Sequence, residues 1–349
     1  MSVSKRLQPP PEHLRPPTIR DIAREAGVSV ATISRVLNKQ AGVAPETRES
    51  VLRVIRQRGF TTNPTARGLA GARTGFVTVT LPMIEGSYFG NLIASVVDTL
   101  DEHDLRAVIS PTLHEHDREV GLLNRLMHGT TEGAILILPS ESSAELGALV
   151  GHGYPVVVLD PKRPPGDGIP CVSASNVPGA RDATQHLLGL GHRRIAAITG
   201  PRGWIATEER LLGYHAALST AGVMPEAAIE IESDFNRAGG YEAGSRLFDL
   251  EHPPTALFAF NDNLAVGAMQ AARERGLRLP EDLSVVGFDD SDEAALLTPA
   301  LTSVRQPLAE MGRMAVVLLT RLLDGLPVDG LAVELATKLV VRESTAPAF

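Results

Sequence analysis

The sequence predicts two structural classes in one chain: a small all-α N-terminal piece, and a large α/β body of two doubly wound parallel-sheet subdomains. Three observations carry this expectation. Between Thr18 and Phe60 apolar residues recur with helical spacing in three short pieces. From Thr74 onward, short β-branched runs alternate with amphipathic helical stretches, the pattern of parallel strands covered on both faces. Charge divides in the same place. Residues 1–75 hold 13 Lys or Arg against 5 Asp or Glu, whereas the chain as a whole carries −8. A basic segment of net +8 thus precedes an acidic body of net −16. That asymmetry points to a nucleic-acid-binding module joined to something that stays off nucleic acid.

The elements follow in order. Residues 1–17 are proline-rich with little periodicity and read as a disordered leader. Thr18 can cap a helix to about Ala26, with Ile19, Ile22 and Ala23 on one face. Gly27 ends it, and Ser29 can cap a second helix through about Leu37. A third runs from Pro45 to Arg58, with Val51, Leu52 and Ile55 expected to face inward and proline in its first turn. Residues 18–62 therefore form a candidate helix-turn-helix headpiece. Val28 and Ile33 supply its core, and Ser29, Val30, Ala31, Thr32, Ser34 and Arg35 are left outward. Such a short face can enter a major groove. The hydroxyls suit phosphates, Arg35 suits guanine, and the methyls of Val30 and Ala31 suit thymine methyls. Residues 63–75, with their glycines and proline, read as a linker.

Strands are expected at 76–81, 106–110, 133–138, 155–160, 171–175, 194–200, 256–261 and 283–290, with a late pair at 301–306 and 333–342. Helices are expected near 89–103, 117–128, 178–190, 207–221, 238–250 and 262–276. So many strands exceed one open sheet. Two sheets, with a ligand crevice beyond the strands' C-terminal ends, fit better.

Several functions are excluded by composition. No window approaches eighteen apolar residues, so no membrane span is expected. The N-terminus lacks an apolar signal region, and the lone Cys171 excludes a disulfide framework, which points to a reducing cytoplasm. There is no nucleophile elbow, phosphate loop or metal-ligand spacing, so no catalytic residue, metal or cofactor is assigned. His114-Glu115-His116-Asp117 lacks a partner cluster and reads as solvated surface. Asp289-Asp290-Ser291-Asp292 lacks the glycine and terminal glutamate of a calcium loop. His192 is expected to bond locally, and Cys171 to sit in the core.

The stretches TIRDIAREAGVSVATISRVLN, FTTNPTARGLA, LGHRRIAAITGP, FNDNLAVGAM, LSVVGFDD and LTSVRQP together resemble the lactose/galactose repressor family of bacterial transcription regulators, from Thr18 to about Val341. The resemblance implies a DNA-binding headpiece, a hinge helix and an effector domain like a periplasmic sugar-binding protein. The effector domain would span 76–345, with one subdomain at about 76–173 and 304–331 and the other at about 174–303 and 332–345. It implies DNA contacts from Thr18, Asn38, Asn63 and Ala66, and a minor-groove wedge at Leu69. It implies effector contacts from Asp160, Arg210, Asn261 and Asp289, a ring platform at Phe235, and Tyr88 and Phe89 after the first strand. Three departures stand out. Ala44 occupies a position usually held by a capping serine, Thr62 replaces a proline, and Ala174-Ser175-Asn176 replaces Val-Asp-Asn.

The expected protein is a cytoplasmic, nucleoid-associated homodimer that represses from a palindromic operator under control of a small effector, with no heptad tail to join dimers. With two carboxylates facing one cation, Arg210, a neutral carbohydrate suits the crevice better than a phosphosugar. The other readings are a sugar-modifying enzyme or a sugar-binding transport protein, and neither accounts for the basic headpiece.

Overall fold

The computed structural model describes residues 17–37, 41–60, 74–113, 115–126, 131–328 and 332–348. The chain divides into two compact units, Met1–Thr74 and Gly75–Phe349.

The first unit contains α1 (Ile19–Ala26), α2 (Val30–Leu37) and α3 (Pro45–Arg58). Thr18 closes α1 with a capping box: its hydroxyl accepts from the Asp21 N–H while the Asp21 carboxylate accepts from the Thr18 N–H at 3.0 Å. Gly27 ends the helix in the left-handed region at φ 67°, where a side chain would be strained. The Ser29 hydroxyl accepts from the Thr32 N–H at 3.1 Å and caps α2. Ile22, Ala23, Ile33, Val36, Val51 and Val54 form the core. Leu52, expected inward, is exposed. From Val51 the inward positions lie three and four residues on, at Val54 and Ile55, and Leu52 falls about 100° round the helix.

In the second unit two six-stranded sheets stand side by side. The first sheet contains β1 (Phe76–Leu81), β2 (Arg106–Pro111), β3 (Gly133–Ile137), β4 (Val156–Leu159), β5 (Cys171–Ala174) and β11 (Ala332–Leu335). Its order is β11-β5-β4-β3-β1-β2 and every pairing is parallel. The second contains β6 (Ile195–Thr199), β7 (Glu230–Glu232), β8 (Ala256–Ala259), β9 (Ser284–Asp289), β10 (Thr302–Arg305) and β12 (Lys338–Val340). Its order is β12-β10-β9-β8-β6-β7, and only β12 runs antiparallel to its neighbour. Around the first sheet lie α4 (Ser87–Glu102), α5 (His116–Leu126), α6 (Ser143–Gly151) and α11 (Leu308–Leu323); around the second lie α7 (Asn176–Gly189), α8 (Ile205–Thr220), α9 (Arg237–Phe248) and α10 (Asp262–Glu274).

The run 333–342, expected as one strand, is two. Residues 332–335, expected in the second subdomain, pair in parallel with β5 of the first sheet, and only 338–340 join β10. The chain thus passes between the sheets three times: after β5, after β10 and after β11. Helices α6 and α11 were absent from the sequence expectation. The α11 run, 16 residues with its buried apolar positions on one helical face, carries a helix signal in the sequence itself.

Helix pairs flank the second sheet at close range because glycine lies at the crossings. A Cβ on Gly213 of α8 would stand 2.3 Å from the Val177 carbonyl of α7. One on Gly267 of α10 would stand 2.1 Å from the Arg237 carbonyl of α9. Both contacts are to backbone, which cannot rotate away. Gly213→Ala is therefore expected to lower stability by about 1–3 kcal/mol, measured by urea unfolding of the full chain. Ala44 stands at the cap of α3 without a side-chain bond. Ala44→Ser should raise the unfolding midpoint of the headpiece, by about 1 kcal/mol in free energy.

Candidate functional site

On the headpiece, Ser29, Val30, Ala31 and Arg35 are exposed, and Thr32 and Ser34 are half-buried. Val30 leaves 41% of its surface to solvent. The Ser29 and Thr32 hydroxyls bond each other at 2.9 Å, and the Thr18 hydroxyl donates to Asp21 at 2.7 Å. These three hydroxyls therefore have local structural work beside any phosphate contact. Asn38, Asn63, Ala66 and Leu69 lie outside the described residues.

In the second unit a cavity of about 530 Å³ opens between the two sheets, and Tyr88, Phe89, Asp160, Arg210, Phe235, Asn261 and Asp289 all line it. The fold explains the convergence. Met83 follows β1, Leu138 follows β3, Asp160 follows β4, Phe235 follows β7, Asn261 follows β8 and Asp289 ends β9. Every one lies at a C-terminal strand end, where parallel sheets leave a crevice. Leu138, Asp160 and Asp289 have positive φ, 48°, 53° and 114°. Non-glycine residues held there cost about 1–3 kcal/mol each, and such strain clusters at functional sites.

At the centre is Arg210, on α8 and only 3% exposed. Its Nε donates to Asn176 Oδ1 at 2.9 Å, its Nη1 donates to the Phe260 carbonyl, and the guanidinium lies 3.7 Å from the centre of the Phe288 ring. Asn176 in turn donates to Glu209 at 2.9 Å. Burial works against the charge, and the carboxylates of Asp289 and Asp160 offset it. Asp160 accepts from the Tyr88 hydroxyl, and burial raises its pKa against the pull of Tyr88 and Arg210. Asp289 accepts from Gln306 Nε2 at 2.7 Å. Burial pushes Asp289 up to about 8 despite Arg210, with the Asp262 charge acting in the same direction as burial.

The walls differ from expectation in three ways. Lys162 is a second cation, so Arg210 is not alone; Glu85, Asp160, Asp234, Asp262, Asp289 and Glu293 oppose the two. Trp204 stands 5.6 Å from Phe235, ring centre to ring centre, and Tyr88 meets Phe89 edge-on at 5.2 Å, giving two aromatic pairs around one cavity. Asn261 caps α10 by accepting from the Leu264 N–H at 2.8 Å, and its amide donates to the Phe235 carbonyl at 3.3 Å. Little of its amide is left for a ligand.

Gly200 lets Phe235 approach: a Cβ there would stand 2.0 Å from the ring. Asp262 does not cap through its side chain but accepts from Ser303 at 2.6 Å and the Ser291 N–H at 2.7 Å, fixing the loop beyond β9. Asp290 is a structural anchor too, held by Arg305 and Arg342 at 2.6 Å each. His192 bonds Thr255, Ser284 and the Ala346 carbonyl. His116 pairs with Glu145 at 3.1 Å, and His114 lies outside the described residues. Cys171 is half-buried at a strand start.

Known proteins place this architecture. Residues 18–63 match the family described as bacterial regulatory proteins, lacI family, and residues 184–345 match the periplasmic binding protein-like domain. The chain is 34% identical over 335 residues to the HTH-type transcriptional regulator DegA of Bacillus subtilis (strain 168), covering 95% of this chain and 98% of that one. The solved complex of transcriptional regulator CelR with cellobiose is 33% identical, with TM-score 0.72, over 94% of this chain and 99% of that one. The Lac repressor dimer bound to operator and the anti-inducer ONPF is 29% identical, with TM-score 0.84, over 95% and 100%. A helix-turn-helix headpiece followed by a two-sheet ligand-cavity body defines a class of DNA-binding transcription regulator. This chain belongs to the lacI family of bacterial regulatory proteins.

The raised Asp289 gives a pH signature. Unfolded, an aspartate titrates near about 4. Folded, Asp289 keeps its proton up to about 8. The folded state binds the extra proton between those values, so this contribution to stability is complete below about pH 4 and is lost as pH rises through about 8. Asp262, raised by burial to about 6, acts with the same sign. Asp289→Asn should therefore flatten the fall in melting temperature between pH 5 and 8. A variant whose melting temperature tracks that of the parent across this range would show that Asp289 titrates normally.

Proposed function

We propose that this protein is a homodimeric repressor of a palindromic operator whose affinity is set by a neutral sugar or sugar alcohol in the two-sheet cavity. The observation that carries this reading is the convergence of carboxylates, one buried arginine and two aromatic pairs on a single cavity of about 530 Å³. That volume lies within the range of small-molecule sites. Carboxyl groups serve hydroxyl hydrogens, Arg210 serves oxygen lone pairs, and the rings meet the apolar faces of a sugar. Asp160, Arg210, Phe235, Asp289, Tyr88 and Phe89 are the proposed contacts, with Asn261 contributing mainly as a cap. Six acids against two bases disfavour a multiply phosphorylated ligand.

The headpiece contacts are Ser29, Val30, Ala31, Thr32, Ser34 and Arg35, with Thr18 positioning α1; Asn38, Asn63, Ala66 and the wedge Leu69 complete the set. Residues 18–62 would act as the headpiece and 63–75 as the hinge. Dimerisation has a face available: β2 is an edge strand, with Val108 and Ile109 each 40% exposed, and an uncovered apolar edge invites pairing. No described helix is long and apolar enough to cross a membrane. We place its work in the bacterial cytoplasm, on nucleoid DNA.

Two experiments test this. A thermal-shift screen of sugars, polyols, sugar acids and nucleobases should show stabilisation by neutral polyhydroxy compounds, abolished in Arg210→Ala and weakened in Asp289→Asn. Stabilisation by purines or phosphosugars alone would sink the ligand assignment. In gel-shift titrations, Leu69→Ala should weaken operator binding by ten- to a hundredfold, about 1–3 kcal/mol, at constant salt, with non-specific binding nearly intact. Equal operator affinity in that variant would remove the wedge.

A further inference from the structure

Lys162 is the part of the cavity wall with no role so far. It follows β4 on the first subdomain, yet its contacts reach the second. Its carbonyl accepts from the Ile205 N–H, at the start of α8, at 2.8 Å. Its ammonium stands 4.9 Å from the centre of the Trp204 ring, at the cap of the same helix. Only 6% of the residue is exposed. A lysine rarely enters such a place unless something holds its charge.

What holds it lies behind the cavity. Lys162 Nζ donates to Ser140 Oγ at 2.8 Å, and the Ser140 N–H donates to Glu119 Oε2 at 3.1 Å. The other oxygen of Glu119 accepts from Thr112 at 2.8 Å. Glu141 lies beside Glu119, and both are buried. Burial and the Glu119 charge push Glu141 up to about 7. Burial pulls the Lys162 pKa down, and the charges of Glu119 and Glu141 act against that pull.

We propose that Lys162 is a positioning residue of the cavity: reaching from the first subdomain, it fixes the indole of Trp204 in the second, so that the ring stands beside Phe235 as a floor for the ligand. The ammonium attracts the ring face electrostatically, and the bond to Ile205 holds the backbone that carries the ring. Because its two contacts cross the cleft, Lys162 also ties the ring's placement to the relation between the subdomains. The part concerning the ligand rests on the sugar reading above; the placement of Trp204 does not.

Trp204 is the only tryptophan of the chain, so its fluorescence reports this contact directly. The full-length parent, Lys162→Met and Lys162→Arg are compared without added ligand, by emission maximum and by acrylamide quenching. They are then titrated with cellobiose, D-glucose, D-ribose and D-mannitol. Lys162→Met should shift the emission to the red and raise quenching, and Lys162→Arg should restore both. A sugar that binds the parent should bind Lys162→Met about tenfold more weakly, within the range of a desolvated cation–ring contact. Emission and quenching in Lys162→Met equal to the parent overturn the proposal. So does weakened sugar binding with unchanged emission, which would make Lys162 a direct ligand contact. Altered emission with no response to any sugar supports the placement of Trp204 and counts against the sugar reading instead. Should Lys162→Met fail to fold, Lys162→Gln, which also lacks the charge, serves the same comparison.

Discussion

Arg210 brings a permanent positive charge to a position with almost no solvent, and much of the second unit is arranged around it. A guanidinium in that setting is tolerated only with partners for its charge and its N–H groups. Asn176, the Phe260 carbonyl and the Phe288 ring supply the fixed part. Asp160 and Asp289 face it from different sheets. Because the two carboxyl groups belong to different subdomains, the arginine is sensitive to how those subdomains stand. A ligand that shifts such an equilibrium needs different contacts in its two states, and groups drawn from both sheets can provide them.

The carboxyl groups are not ordinary carboxylates. Burial raises Asp160, Asp262 and Asp289, and Asp289 retains a proton at neutral pH. A protonated carboxyl donates as well as accepts, so the cavity can answer either end of a hydroxyl group. Sequence reasoning treated Asp289 as a simple acceptor because residue type reveals nothing about solvent. Only the tertiary fold brings Arg210, Asp262 and Gln306 around it at one cavity.

Close backbone approach is the second constraint. Gly213 and Gly267 let helix pairs cross tightly, and Gly200 gives the Phe235 ring room. These glycines are invisible as functional residues in the sequence, since none sits in a recognisable loop motif. Each is identified by what a Cβ would strike. The headpiece shows the opposite economy: its capping box, its left-handed Gly27 and its serine cap are all local, and all were readable beforehand.

The sequence by itself determined the elements whose causes are local. Periodicity located the three headpiece helices, near-continuous apolar runs located the parallel strands, and the resemblance of the short motifs to the lacI family named the cavity's central groups. Asp160, Phe235, Asn261 and Asp289 meet because parallel sheets open at one end, a rule that needs no coordinates. Tertiary structure alone decided the rest. It divided 332–340 between two sheets, because pairing depends on which edge is open and not on the run's composition. It turned Leu52 outward, diverted the Asn261 amide to capping, and brought Lys162 and Trp204 from separate subdomains into contact. Those outcomes depend on neighbours far apart in the chain, and burial, which raises the pKa of Asp289 and lowers that of Lys162, exists only once those neighbours have assembled.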